Sequence, residues 1–170
     1  MAASDIKFLS ELDYDDYCLD LWVYTDDFCF EWKGRFFRIP MGFVLDFYSM
    51  PRWLRWWRAP NRGLGNQPAG IHDATLRFRE WLGLTQSECH EMFYDAMLLC
   101  HELGYRGFGR KTTNLKWLGV TLGGWIGMTS AGAGRPPRDV RRAMRRAGDD
   151  WEAYYESFKI ANPKPMETAT

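Results

Sequence analysis

A change of hydrophobic pattern across residues 40–73 constrains the fold more than any other feature of this sequence. Before it, short runs rich in aromatic and β-branched residues predict strands at 17–24, 28–32 and 35–39. Lys33-Gly34 separates the last two runs as a compact hairpin turn. After it, apolar residues recur at helical spacing. A chain of 170 residues, of which 46% are hydrophobic, can bury one core, so the pattern predicts an α+β fold.

Three core helices are predicted after residue 66. The first covers 67–82 and stops at Gly83, because glycine readily adopts the left-handed conformation that ends a helix. The second opens on the capping box Thr85-Gln-Ser-Glu88 and runs to about residue 103. The third covers about 112–128. A small N-terminal antiparallel sheet is expected to pack on this bundle.

Residues 135–170 are predicted to form a helical extension and tail behind a single α+β domain of residues 1–134. Two helices, over 136–147 and 149–160, would form a hairpin only loosely tied to the core. The first helix carries arginines that we assign to an interface with an acidic partner, or else to a solvated helix face: Arg141, Arg142 and Arg145.

The charge of the chain is unevenly placed although the net charge is zero. Residues 1–31 hold nine acidic residues and one lysine, whereas 135–146 hold six arginines and one aspartate. The two ends either attract each other within the fold or dock head to tail in an assembly.

The four cysteines include no C-x-x-C pair, so free thiols in a reducing cytoplasm are expected rather than a disulfide framework or a zinc knuckle. The N-terminus lacks a basic region followed by an apolar run, so no secretion signal is visible. Residues 115–128 form the most apolar segment and are too short to cross a bilayer, so no transmembrane segment is expected.

The adjacent pair His72-Asp73, near the start of the first core helix, is the sharpest candidate for chemistry. His72 would act as a general base while Asp73 holds a cation or orients a neighbour. On the second helix, His90 and Tyr94 share a stripe that faces His72 if the two helices pack antiparallel. Asp46 would then complete a divalent metal site with His72 and His90. The alternatives are surface or hydrogen-bonded core histidines, and an Asp46 that caps a short helix.

Residues 52–62 interleave arginines with tryptophans. Packing of the tryptophans on the sheet is the favoured interpretation, and a protein interface is the second. Nucleic acid is not favoured as a partner, because nothing else in this neutral chain forms a basic groove. The interface would be centred on three residues: Trp53, Trp56 and Trp57.

A motif in residues 40–52, followed by His72-Asp73, resembles a family of phage and prophage proteins catalogued as domain of unknown function 1353. The resemblance covers about residues 17–128. The motif reads Pro40-x-Gly42-Phe43-x-x-Asp46-x-x-Ser49-x-Pro51-Arg52. We assign as binding residues three positions of this motif and one on the second core helix: Asp46, Ser49, Arg52 and Tyr94.

The family's helices are similar to the catalytic helices of phospholipase A2, in which a histidine activates water, an aspartate binds calcium and a second aspartate supports the histidine. This chain departs from the family at two positions: Leu45 stands where the family has threonine, and His90 stands where it has the second aspartate. The resemblance therefore implies a viral protein in which the support of His72 has changed.

The leading hypothesis is a phage virion component, tail or neck associated, that docks on other phage structural proteins through its acidic front and arginine-rich back. A homo-oligomer within the particle is one form of that docking. The alternative is a hydrolase of lipid or cell-wall bonds, used at entry or lysis, with His72, Asp73 and His90 as catalytic residues and a divalent metal as its cofactor. Either protein would be made in the host cytoplasm, and the virion is the expected location.

Overall fold

The computed structural model describes residues 5–18, 21–45, 66–105, 108–125, 136 and 138–164. Within them the chain forms strands and then helices, as the change of pattern predicts, so the α+β class is confirmed. The strands are β1 Ile6–Phe8, β2 Tyr14–Cys18, β3 Leu21–Tyr24, β4 Phe28–Trp32, β5 Arg35–Ile39 and β6 Val44–Leu45. The helices are α1 Gln67–Leu82, α2 Gln86–Glu102, α3 Arg110–Trp125, α4 Arg138–Ala147 and α5 Trp151–Ala161.

The strands form two antiparallel sheets rather than one. One has the order β1-β4-β5 and the other the order β2-β3-β6. The single strand predicted at 17–24 is wrong, because the chain reverses there and Cys18 pairs with Leu21 across the second sheet. Aromatic and aliphatic residues continue through this reversal, so the sequence offers no strong turn signal. The predicted hairpin between β4 and β5 is confirmed, with positive φ at Lys33 and Gly34 (51° and 75°), the twist that a tight hairpin requires.

The ends of the first two helices follow their local signals. α1 has the predicted bounds, and Gly83 ends it in the left-handed conformation with φ 64°. The capping box is present: the Thr85 hydroxyl accepts a hydrogen bond from the Glu88 amide, and the Glu88 carboxylate accepts one from the Thr85 amide. α3 begins at Arg110, two residues before its predicted start.

The main core lies between the β1-β4-β5 sheet and the helices α1 and α2. Phe30 stacks on Phe37 at 5.0 Å between ring centroids, and both are buried with Phe28 beneath the helices. Ile71 and Met92 face these rings from α1 and α2 and are fully buried. A small sheet packed on helices is therefore observed as predicted.

The last helix, α5, is part of this core. Phe158 of α5 stacks on Phe78 of α1 with 3.8 Å between ring centroids, and both rings are buried. Asn162, just after α5, accepts a hydrogen bond from the backbone amide of Arg38 (2.9 Å) and donates one to the carbonyl of Arg38 (2.6 Å). The expectation of a loosely tied hairpin is therefore wrong, because its aromatic residues fill the main core.

α4 packs on the second sheet in a smaller apolar cluster. Val140, Ala143 and Met144 are buried there against Leu21 and Val44. Arg142 and Arg145 lie on the other side of the helix and are exposed. The predicted domain boundary at residue 134 falls outside the described residues.

Two further sequence expectations concern thiols and membranes. Cys29 and Cys89 are free thiols, and Cys89 and Cys100 are buried; the side chain of Cys18 lies outside the described part of the chain. Over the part of the chain that the structure describes, every helix is too short or too polar to span a bilayer.

Candidate functional site

The first turns of α1 carry His72 and Asp73 to the edge of the core. Pro68 lies in the first turn of the helix, where proline is tolerated, and buried Ile71 lies on the side that faces the core. The side chains of His72 and Asp73 keep 11% and 15% of their surface exposed. His72 Nδ1 lies 3.8 Å from Asp73 Oδ1, which is too long for a hydrogen bond but close enough for electrostatic attraction.

His90 of α2 faces His72 of α1, as the sequence predicts for packed helices. The two imidazole centroids are 5.3 Å apart and the rings are nearly perpendicular, at 79°. Phe93, one turn further along α2, lies 4.8 Å from the His72 ring. The structure thus brings together two of the three predicted catalytic side chains and places the third, Asp73, beside His72.

Three nitrogens of this histidine pair have no hydrogen-bond partner among the described residues. They are Nε2 of His72 and both Nδ1 and Nε2 of His90, and all are buried. A buried polar atom without a partner costs about 1–3 kcal/mol. Such atoms are rare in native proteins and point to a strained, catalytic or ligand-binding role.

Burial also fixes the charge of His90. Burial, and to a smaller extent the nearby His72, lower the pKa of His90 to about 4. At neutral pH His90 is therefore an uncharged imidazole, with one donor nitrogen and one acceptor nitrogen. It can orient His72, or bind a metal without first losing a proton.

Tyr24 and Gly70 form a close contact that sequence reasoning missed. A Cβ atom on Gly70 would lie 1.7 Å from the Tyr24 hydroxyl, so only glycine fits at this position of α1. The Tyr24 hydroxyl is buried without a hydrogen-bond partner among the described residues. Burial raises its pKa well above the ordinary tyrosine value, and the charge of Asp73 adds to that rise. The only signal in the sequence is a glycine inside a helical pattern, two residues before His72.

The other predicted residues on α2 and α4 lie elsewhere. Tyr94 turns to α3, where its hydroxyl donates to Asn114 Oδ1 at 2.9 Å and its ring meets Trp117 edge-on. Its predicted binding role has no support from a contact with His72. On α4, Arg142 and Arg145 are exposed, whereas Arg141 is half-buried.

The motif of residues 40–52 and the Arg/Trp segment fall mostly outside the described residues. This holds for six predicted residues: Asp46, Ser49, Arg52, Trp53, Trp56 and Trp57. Their binding and interface roles stay predictions. The metal site of Asp46, His72 and His90 also stays a prediction, because Asp46 lies outside the described residues. Within the described ranges, no three histidine, cysteine or acidic residues are arranged to hold a metal ion.

Comparison with known proteins yields one match. A family model whose description is "Protein of unknown function (DUF1353)" matches residues 22–120. Searches of curated proteins and of solved structures found no match. The matched region runs from β3 into α3, so it holds Tyr24, His72, Asp73 and His90 and stops before α4. This chain therefore belongs to the DUF1353 family of proteins of unknown function.

Proposed function

We propose that this protein is a histidine-dependent hydrolase of lipid or cell-wall bonds, with His72 as the general base. The observation that carries the proposal is the buried His72–His90 pair, in which three of the four ring nitrogens lack partners among the described residues. Three of the five buried side-chain atoms without a partner among the described residues belong to these two rings, a concentration that packing alone does not require. Both histidines lie inside the region matched by the family model.

The proposed reaction uses His72 for two proton transfers and Asp73 to stabilise the charge that forms between them. A ring nitrogen of His72 takes a proton from water, and the water oxygen attacks the carbonyl carbon of the substrate. The same proton passes to the leaving group as its bond to that carbon breaks. Asp73, 3.8 Å away, stabilises the imidazolium that exists between these two transfers.

His90 acts on His72 rather than on substrate, since it is the more deeply buried of the two. Because its ring is uncharged at neutral pH, it orients His72 without the negative charge that a carboxylate would add. The resemblance implies an aspartate at this position in related proteins. His90→Asp is therefore expected to raise kcat, and a steady-state assay of the variant beside the native enzyme checks this.

The test of the proposal compares His72 with His101, two of the three histidines of the chain. His72→Gln is expected to lower kcat by a factor of about 10²–10⁴ on p-nitrophenyl esters and phospholipid vesicles. His101→Gln is the matched control, because His101 is exposed on the same helix as His90. Thermal melting of both variants should stay close to the native value. Equal activity of His72→Gln and His101→Gln would exclude His72 as the base.

A divalent metal is the second use to which the two rings are suited. Zinc binds imidazole nitrogen at about 2.0–2.1 Å, and the sequence expectation supplies Asp46 as a third ligand. Metal analysis of the purified protein, with His101→Gln as control for His90→Gln, separates the metal-assisted form of the reaction from the metal-free form. A metal content that is lost only in His90→Gln supports the former.

A second candidate function is docking within a phage virion, at the tail or neck. It is favoured by α4, whose inner face is fixed by Val140, Ala143 and Met144 while Arg142 and Arg145 are exposed. Rigid guanidinium groups on one face suit an acidic partner surface. Arg142→Glu with Arg145→Glu is expected to remove the protein from purified particles, as measured by mass spectrometry. Lys7→Glu, an exposed charge reversal on β1, is the control.

A further inference from the structure

α3 is attached to the rest of the protein mainly through α2. Thr113 is fully buried, and Trp117 meets Tyr94 of α2 with 5.9 Å between ring centroids. The opposite side of α3 keeps large apolar side chains in solvent: Leu115 is 49% and Leu118 47% exposed. Residues three apart lie on the same side of a helix, so these two leucines form one apolar surface.

The charged residues within α3 are all basic. The span of α3 contains Arg110, Lys111 and Lys116 and no acidic residue. Arg110 and Lys111 are exposed in its first turn. The acidic residues of α2 that could offset them point elsewhere: Glu91 pairs with Lys33, and Asp95 accepts a hydrogen bond from Trp32. Glu102, at the end of α2, is exposed.

We propose that α3 binds the surface of an anionic lipid bilayer, lying flat with Leu115 and Leu118 inserted among the acyl chains. Two exposed leucines on one side of a helix that carries basic residues and no acid suit the interface of an anionic membrane. Lys111 lies one turn before Leu115, where its long side chain reaches the lipid headgroups while its methylene groups cover apolar surface. Trp117, 38% exposed at the margin, suits the headgroup region.

A bilayer fits this surface better than a protein groove does. The apolar side chains stand on an outward helix face, and a protein partner would need a cavity of matching shape to bury them. A fluid bilayer adapts to the leucines without such a cavity. The basic first turn gives the complementarity of charge that anionic headgroups require. This inference does not depend on the proposed hydrolase, since binding to vesicles needs no intact histidine.

The test measures sedimentation of the full chain with extruded vesicles. Vesicles of phosphatidylcholine with about a third phosphatidylglycerol are expected to bind the protein at 0.1 M salt, and pure phosphatidylcholine vesicles are not. Raising the salt to 0.5 M should weaken binding severalfold, because the headgroup charge is then screened within a few ångströms.

Two variants with matched controls decide which residues bind the lipid. Leu115→Ser with Leu118→Ser is expected to weaken vesicle binding at least about tenfold, since two leucines leave the acyl region. Ile160→Ser is the control, because Ile160 is an apolar side chain that is 83% exposed on α5. Lys111→Glu should weaken binding to anionic vesicles severalfold, and Lys7→Glu should not. Circular dichroism confirms that each variant is folded.

Three outcomes would overturn the proposal. The first is absence of binding to anionic vesicles, and the second is equal weakening of vesicle binding by Ile160→Ser and by the leucine double variant. The third is a protein that does not bind vesicles but self-associates, with the self-association abolished in the leucine double variant. The last outcome would make α3 an interface between copies of this chain. Binding of His72→Gln to vesicles as tightly as the native protein would show that lipid binding does not depend on the proposed hydrolase activity.

Discussion

Two contacts of α2 treat their polar groups in opposite ways. On the side facing the β1-β4-β5 sheet, Asp95 accepts a hydrogen bond of 2.8 Å from the Trp32 indole, and Glu91 pairs with Lys33. On the side facing α1, His90 meets His72 without a hydrogen bond to any described residue. The same helix therefore satisfies the polar groups that hold it to the sheet and leaves its buried histidine unpaired. The histidine contact is thus the better candidate for function, and the sheet contact for stability.

The largest expected effect tests how tightly the histidine side is packed. Gly70→Ala should lower the free energy of unfolding by about 3 kcal/mol, because its Cβ would meet the buried Tyr24 hydroxyl. Adding Tyr24→Phe removes that hydroxyl and should restore part of the loss. Urea denaturation of the two single variants and the double variant measures this coupling, and strictly additive effects would show that the two residues do not touch.

The next largest effect tests the contact between α2 and the β1-β4-β5 sheet, where the polar groups of α2 are paired. Trp32→Phe should destabilise the protein by about 2 kcal/mol, since it leaves the half-buried Asp95 carboxylate without its indole donor. In an Asp95→Leu background the same substitution should cost less, because no carboxylate is left unpaired. Equal costs in both backgrounds would mean that the hydrogen bond contributes nothing and that Trp32 acts only by packing.

A stabilising substitution is expected at the contact between α2 and α1, where His90 meets His72. His90→Leu should raise the free energy of unfolding by about 1 kcal/mol, because an apolar side chain of similar size replaces two unpaired buried nitrogens. The same variant should lose activity if His90 positions His72. Thermal melting and the esterase assay give both readouts, and a destabilised His90→Leu would show that His90 has a structural partner.

The smallest effect is a pH dependence at the start of α2. Thr85→Ala should cost about 1 kcal/mol at pH 7 by removing the helix cap. Hydrogen bonds from the Thr85 amide and hydroxyl lower the pKa of Glu88 below its ordinary value. The contribution of the ionised Glu88 carboxylate to stability is therefore fully present above the unfolded pKa of about 4.3 and is lost as the pH falls through the lower pKa of the folded state. Urea denaturation at pH 7 and pH 3 should show the cost of Thr85→Ala shrinking in acid.

The elements that the sequence predicts well are those whose signals are local. The bounds of α1, the Thr85–Glu88 capping box and the hairpin at Lys33-Gly34 depend on residues within one turn of each other. The division of the strands into two sheets depends on pairing between distant strands such as β3 and β6, which periodicity does not encode.

In the candidate site, too, the parts that follow from helical spacing are predicted from the sequence, and the long-range contacts are not. Helical spacing and the expectation of antiparallel packing place His90 opposite His72, and the structure agrees. The contact of Tyr24 with Gly70 joins a strand to a helix across 46 residues of chain, and only a glycine in a helix hints at it. The C-terminal aromatic residues were predicted to need a surface, but the sequence does not show that Phe78 of α1 provides it.

The amide group of Asn162 has a consequence for the behaviour of this protein in concentrated solution. β5 is an outer strand of its sheet, and an open outer strand invites a strand from another molecule. Asn162 donates to the carbonyl and accepts from the amide of Arg38, as a neighbouring strand would. One side chain just after the last helix thus occupies two backbone hydrogen-bonding groups that a strand of another molecule would need.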